Sequence, residues 1–227
     1  MIEVHQTIDI NQYSGNIKTS LLDNAEAEVY QNFGEISKLS SFDKGIVYVT
    51  VVSVYVDWGD TRKQLDRATL LKALYEAFSE HPKCLDILSM GSYIVSIFDT
   101  PFKTDIDMTI DCVGKVNAVF NLTDKVGGLP SSSNITRGVG MDYGKVLLVR
   151  CLNETRPVYG WNGGVIDRAM KYAEKASSSL RKVRASFTIF NNLKEDYQKL
   201  FNSYNFENCY DADPVNIAMN KWINANV

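Results

Sequence analysis

Two carboxylates, Asp57 and Asp60, stand directly behind an unbroken β-branched and apolar run that ends at Val56. A carboxylate at the end of a buried strand costs free energy unless it is solvated, paired or bound to a cation. Asp57 therefore has two readings: an oxygen ligand for a hard divalent metal, or a strand end that faces water and caps the next helix. A second pair, Asp167 and Lys171, is spaced i, i+4 on a predicted helix. That spacing puts both side chains on one face, where they can meet one ligand; it equally describes a solvated ion pair worth a few tenths of a kcal/mol. Lys145 adds a cation in a glycine-containing segment between them. Other chemistries have no residues to carry them. Cys84, Cys112, Cys151 and Cys209 are far apart, and His5 and His81 are the only histidines. Neither a zinc cluster nor a histidine-based hydrolase triad can be assembled from that set, and the thiols read as reduced and buried.

The elements that must position these residues follow from periodicity. Residues 46–56 are too continuously apolar for a half-exposed strand and read as a central strand buried on both faces. A helix is expected over 65–78, with Leu70, Leu71, Leu74 and Phe78 on its inner side. Strands at 84–90 and 93–98 are separated only by Gly91-Ser92, a dipeptide suited to a tight hairpin. Pro101 opens a helix running to about residue 122. Two strands, 138–142 and 146–151, are expected to meet at Tyr143-Gly144-Lys145, followed by a loop over 153–164 and a helix over 165–180. A strand over 184–189 and helices over 193–204 and 214–222 complete the chain. Residues 1–44 form a polar arm with one helical stretch around 21–39, and 127–133 is a loop of Gly, Pro and Ser. From the first long strand onward the order is βαββαβ. The fold class is therefore α+β, a ferredoxin-like antiparallel sheet with helices on one face and an extra C-terminal strand and helices.

Bulk composition narrows the partners. The chain has 227 residues, 45% hydrophobic and 22% charged, with a net charge of −3. That is ordinary for a globular protein with a real core and unsuited to general polyanion binding. The central strand lacks the exposed aromatic pair of an RNA-binding sheet, so no nucleic-acid partner is expected. No apolar stretch reaches the roughly 20 residues of a membrane span, and the first residues lack the order of a signal peptide, so a cytoplasmic location is expected.

Three segments, in order, resemble the class III nucleotidyl cyclase family. Val56-Asp57-Trp58-Gly59-Asp60-Thr61 is similar to that family's first-strand motif. The resemblance makes Asp57 a metal ligand assisted by the Trp58 carbonyl. Leu88 to Phe98 resembles its hairpin, with Gly91 in place but Ser92 where a second metal-binding Asp is expected and Leu88 where a purine-reading Lys or Glu is expected. Asp60 is then the nearest carboxylate able to supply the missing charge. Val139 to Val146 resembles a further hairpin in which Lys145 approaches phosphate. Gly163 to Lys171 resembles the helix whose Asn and Arg orient the ribose and stabilise the pentavalent phosphate, here Asp167 and Lys171. Gly160 falls at the second base-reading position.

Both base-reading positions are thus non-polar, although discrimination between purines needs directed hydrogen bonds. Within the family, Gly140-Met141-Asp142-Tyr143-Gly144 and Trp161-Asn162-Gly163 resemble the bacterial pyrimidine cyclases of antiphage defence. The implied activity converts UTP or CTP to the 3′,5′-cyclic monophosphate and pyrophosphate, with Mg²⁺ or Mn²⁺. The resemblance further implies a head-to-tail homodimer, with Asp57 of one chain facing Asp167 and Lys171 of the other. On this reading 45–190 is the catalytic domain and 191–227 a helical extension. The alternative is a catalytically inert cyclase-like domain that dimerises or senses nucleotide.

Overall fold

The computed structural model describes residues 27–38, 44–57, 64–126, 136–152, 157–204 and 208–227. In chain order they form β1 (Val29–Tyr30), α1 (Phe33–Ile36), β2 (Lys44–Asp57), α2 (Gln64–Ser79), β3 (Cys84–Met90), β4 (Tyr93–Phe98), α3 (Lys103–Val126) and β5 (Thr136–Leu152). Then follow β6 (Pro157–Asn162), α4 (Gly164–Ser177), β7 (Val183–Ser186), α5 (Phe187–Asn192), α6 (Glu195–Gln198), β8 (Phe201–Tyr204), β9 (Cys209–Ala212) and α7 (Ile217–Asn226).

All the described strands join one sheet, ordered β3-β4-β2-β5-β7-β9-β8, with β1 beside β2 and β6 beside β5. The first four are antiparallel neighbours in the order of a ferredoxin-like unit, as expected from the sequence. β2 is the axis. It pairs with β5 over its whole length, from Lys44↔Val149 to Asp57↔Thr136, and with β4 from Thr50↔Phe98 to Tyr55↔Tyr93. Alternation then sorts its side chains between two cores. Val52, Val54 and Val56 pack with Leu74 and Phe78 of α2 and Ile110 and Val113 of α3; Val47, Val49 and Val51 pack with Val146, Leu148 and the inner face of α4. Helices therefore cover both faces of the sheet. The one-face expectation holds for α2 and α3 and omits α4.

Small residues set the depth at which α4 lies. Gly138 and Gly140 of β5 face Ala169, Ala173 and Ala176, and a Cβ on Gly140 would fall on the carbonyl of Ala169 and the amide of Ala173. On Gly138 it would fall on the carbonyl of Ala173 and the amide of Ser177. Backbone rests on backbone here, which fixes α4 against the sheet without intervening side chains.

The structure changes several expected elements. Tyr143-Gly144-Lys145 is no turn: β5 runs straight through, paired as Thr50↔Tyr143, Val49↔Gly144 and Tyr48↔Lys145. Antiparallel pairing with β2 continues on both sides of this segment, which outweighs the turn preference of one glycine. The loop expected over 153–164 contains β6, a hairpin partner of β5. The strand expected over 184–189 ends at Ser186, whose hydroxyl accepts from the Ile189 amide and starts α5. Of the helix expected over 193–204 only α6 is helical; β8 follows and pairs with β9. The helical stretch expected over 21–39 lies partly outside the described residues, and within them it is β1 and α1. The loop expected over 127–133 lies outside them.

At the far side of α4, Arg184 of β7 and Asp211 of β9 form a buried two-point ion pair, Nε to Oδ1 at 2.7 Å and Nη2 to Oδ2 at 3.0 Å. Both charges are out of water, so each strand depends on the other for its partner. The tightest constraint remains the glycine contact. Gly140→Ala is expected to cost about 3 kcal/mol, since the α4 backbone must move for the methyl group to enter. Urea unfolding of the variant measures this, and a change within error of zero would contradict the packing described.

Candidate active site

Asp57 is the last residue of β2 and is exposed, while the residues before it are buried. Pairing with β5 and β4 carries the strand to this point and ends there. The β3–β4 turn closes beside it: Gly91 takes the left-handed conformation (φ 62°), which a Cβ disfavours, and the Ser92 carbonyl accepts from the Val56 amide at 2.9 Å. Asp57 and Ser92, far apart in sequence, thus share one end of the sheet. Tyr55 and Tyr93 pack side by side there with ring centroids 5.1 Å apart, and the Tyr93 hydroxyl donates to Glu174 of α4 at 3.1 Å. Burial, then the charges of Asp57 and Glu174, push the Tyr55 hydroxyl pKa up. Trp58 and Asp60 lie outside the described residues.

The second half of the site is α4. Asp167 and Lys171 are both exposed on its outer surface, one turn apart. Lys171 lines a depression of about 340 Å³ with Arg168, Tyr172 and Lys175. Asp142 of β5, bonded to Arg168, is the group that sequence reading missed as a partner. It is 2% exposed, accepts from the Tyr143 amide at 2.9 Å and takes the Arg168 Nε at 2.6 Å. The signal was present only as a carboxylate in an apolar strand; its partner comes from the next helix.

The remaining expected residues do not line the α4 depression. Lys145 pairs with Tyr48 on the α2–α3 side of the sheet, its Nζ 5.4 Å from the Tyr48 ring, which stacks on Tyr143 at 6.0 Å. Leu88 packs against the core under α4. Gly160 is exposed on β6 opposite Val149, with ordinary space where a Cβ would be. On the same strand as Leu88, Asp86 accepts from Trp161 Nε1 at 2.9 Å and from the Ile87 amide at 2.8 Å. Tyr55 and Tyr93 pack on each other and Tyr143 on Tyr48. His81 is a buried core residue, its Nδ1 accepting from the Lys83 amide and its ring set edge-on to Phe98.

Among the described residues no three His, Cys, Asp or Glu side chains come together to hold a metal. Among the described residues the sequence-predicted donors at the sheet end are the Asp57 carboxylate and Ser92. Oxygen donors of this kind suit a hard divalent cation completed by water and substrate phosphates. Within one chain the N-terminal part of α4 lies away from the sheet end, whereas Glu174 near its C-terminus reaches it. Asp57 pairs with Thr136, and Arg168 meets β5 at Asp142, about 20 Å further along at ~3.3 Å per residue.

No family model and no curated protein sequence matches the chain significantly. Solved structures do match its shape. The guanylyl cyclase Cya2 superposes with a TM-score of 0.57 at 14% identity, over 78% of this chain and 96% of that one. The adenylyl cyclase CyaB from P. aeruginosa gives 0.57 at 11% identity, over 78% and 98%. A class III adenylyl cyclase-like ATP-binding protein from Pseudomonas aeruginosa gives 0.55 at 12%, over 88% and 47%. The chain has the fold of class III adenylyl and guanylyl cyclase domains.

The Tyr93–Glu174 bond gives a pH test of the link between the hairpin and α4. Burial first, then the bond and charge of Glu174, push the Tyr93 pKa up to about 12 from an ordinary 10.0. The native state therefore holds this proton where the unfolded chain releases it. Its contribution to stability is complete below pH 10 and is lost as pH rises through 12. In denaturant unfolding across that window, Tyr93→Phe is expected to flatten the alkaline decline; a slope equal to wild type would contradict the assignment.

Proposed function

We propose that this chain is a nucleotidyl cyclase that takes a pyrimidine nucleoside triphosphate, UTP in preference to CTP. It releases the 3′,5′-cyclic monophosphate and pyrophosphate, the cyclic product serving as a second messenger in antiphage defence. The observation that carries the pyrimidine reading is the pair of base-reading positions: Leu88 is a half-buried apolar side chain and Gly160 has no side chain. Neither can offer a directed hydrogen bond to a purine edge, and unpaired polar groups are what reject a wrong base.

The reaction is intramolecular. The ribose 3′-oxygen forms a bond to the α-phosphorus as the bond to the bridging oxygen breaks, and that oxygen leaves with pyrophosphate. Asp57 and the Trp58 carbonyl would hold a divalent cation, Mg²⁺ or Mn²⁺, with Ser92 beside them and Asp60 the nearest further carboxylate. Such a cation neutralises the triphosphate and lowers the pKa of the attacking hydroxyl. Asp167 would orient the ribose, and Lys171 would stabilise charge on the pentavalent phosphorus. The separation of the sheet end from the N-terminal half of α4 favours a site shared between two chains, Asp57 of one facing Asp167 and Lys171 of a second copy. Lys145, on the opposite face from α4, would then approach phosphate only across such an interface.

A second reading has its own support. With Ser92 at the position of a metal-binding carboxylate, the domain would bind nucleotide and dimerise without turnover; one protein of this fold, from Pseudomonas aeruginosa, is described as ATP-binding and cyclase-like. Incubation with each of the four nucleoside triphosphates and Mn²⁺ separates the two. The expected result is pyrophosphate and cyclic UMP or cyclic CMP, reduced at least a hundredfold by Asp57→Ala, roughly the cost of removing one charged group from a phosphoryl-transfer site. Intact dimers that yield no cyclic product from any of the four would establish the inert reading instead.

A further inference from the structure

The C-terminal helix α7 is seated firmly on α3, and its outward face is unusually apolar. Asn216, Asn220 and Ile223 turn toward α3: the Asn216 amide donates to the Gly114 carbonyl at 3.2 Å, Asn220 accepts from Asn121, and Ile223 is buried. Buried Asn117 donates to the Pro214 carbonyl at 2.7 Å. A Cβ on Gly114 would stand 3.3 Å from the backbone of Val215 and Asn216, so the start of α7 lies close on α3. The opposite face, Ile217, Ala218, Lys221, Trp222 and Ala225, is exposed throughout. Ile217 is 66% exposed and Trp222 58%. A surface helix ordinarily turns its apolar stripe inward, yet here an isoleucine and a tryptophan stand in water with one charge between them.

This face runs into a groove of about 280 Å³ between α3 and the β9–α7 connection. Ile110, Leu200, Val215 and Ile217 give it apolar walls, and two carboxylates, Asp111 and Asp213, line it as well. The Tyr197 hydroxyl donates to Asp111 at 3.0 Å, which orients that carboxylate without cancelling its charge. Burial pushes the Asp213 pKa up, although Arg181 and Lys182 act to lower it. A carboxylate partly desolvated by apolar walls gains most from a cation that arrives with apolar cover.

One surface thus carries both halves of a complementary pair: an acidic apolar groove and, a turn along the helix from Ile217, a lysine beside a tryptophan. An isologous contact requires this self-complementarity, whereas a foreign partner would need only one half. We infer that α7 and its groove form an isologous interface between two copies of this chain. With the two helices antiparallel about an axis near Ile217, Lys221 lies four residues to one side of the axis and Asp213 four to the other. Lys221 of each copy then meets Asp213 of the other, and Trp222 of each enters the opposite groove. Ala218, beside the axis, lets the helices approach closely. The interface uses no residue assigned to metal, ribose or phosphate, so it stands apart from the cyclase reading.

Sedimentation velocity of the full chain over a concentration series tests the contact. Trp222→Ala is expected to weaken association at least about thirtyfold, the cost of removing a central aromatic anchor. Lys221→Glu and Asp213→Lys should each weaken it about tenfold by setting like charges against each other. The double variant Lys221→Glu with Asp213→Lys should recover wild-type association, because the pair is restored with its signs exchanged. All three positions are exposed, and equal melting temperatures serve as the folding control. Where the head-to-tail pair of the cyclase reading also forms, wild type is expected to exceed two chains and Trp222→Ala to return to two. A monomeric wild type, or association unchanged by Trp222→Ala and by both charge reversals, overturns the interface. Single variants that weaken association without recovery in the double overturn the Lys221–Asp213 pairing on which it is built. None of these results bears on turnover, which tests the cyclase reading separately.

Discussion

The active site proposed for this protein depends on the direct contact between α4 and β5. Gly138 and Gly140 present bare backbone to a helix whose inner face is largely alanine, and there is no space for a methyl group between them. A helix held at that distance cannot roll or lift without opening the core beneath it, where Val49, Val51, Val146 and Val165 meet. Its outer stripe of Asp167, Arg168, Lys171 and Lys175 therefore has a fixed direction relative to the sheet. The buried Asp142, two residues from Gly140, extends the same contact from packing into electrostatics, because Arg168 of that helix balances its charge.

The central strand supplies the other fixed point. Because β2 is paired on both edges and buried on both faces, its final residue is placed by the whole sheet rather than by local turn geometry. Asp57 emerges where the pairing stops, next to the Ser92 turn. Asp57 and Arg168, at the N-terminal end of the helix stripe, are thus placed on one molecule about 20 Å apart by strand rise, while the C-terminal part of the helix reaches the sheet end through Glu174. That distance from the N-terminal half of α4 is why a site shared between two chains enters the proposal.

Much of this was legible in the sequence. The β3 and β4 limits, the doubly buried β2 and the ferredoxin-like order follow from alternation, continuous apolar runs and the Gly91-Ser92 turn, all local signals. The errors share one cause. Gly144 and the 153–164 segment read as turn and loop because glycine and polar residues punctuate chains locally, yet in the structure β2 and β5 are long enough to recruit Gly144 and residues 157–162 into strand pairing. The β8–β9 hairpin was hidden in the same way, since residues 201–204 become a strand only through partners on β9. At the site, Asp57, Asp167 and Lys171 could be singled out by type and spacing. Asp142 and Arg168 could not be joined, because their pairing depends on how α4 crosses the sheet.

A crystal structure of the protein with a non-hydrolysable UTP analogue and Mn²⁺ tests the central claim most directly. The account predicts one analogue at each of two equivalent interfaces of a head-to-tail dimer. Its phosphates would lie along α4 of one protomer, and a single Mn²⁺ would sit between them and Asp57 of its partner. An analogue bound away from α4, or metal density remote from Asp57, would contradict it.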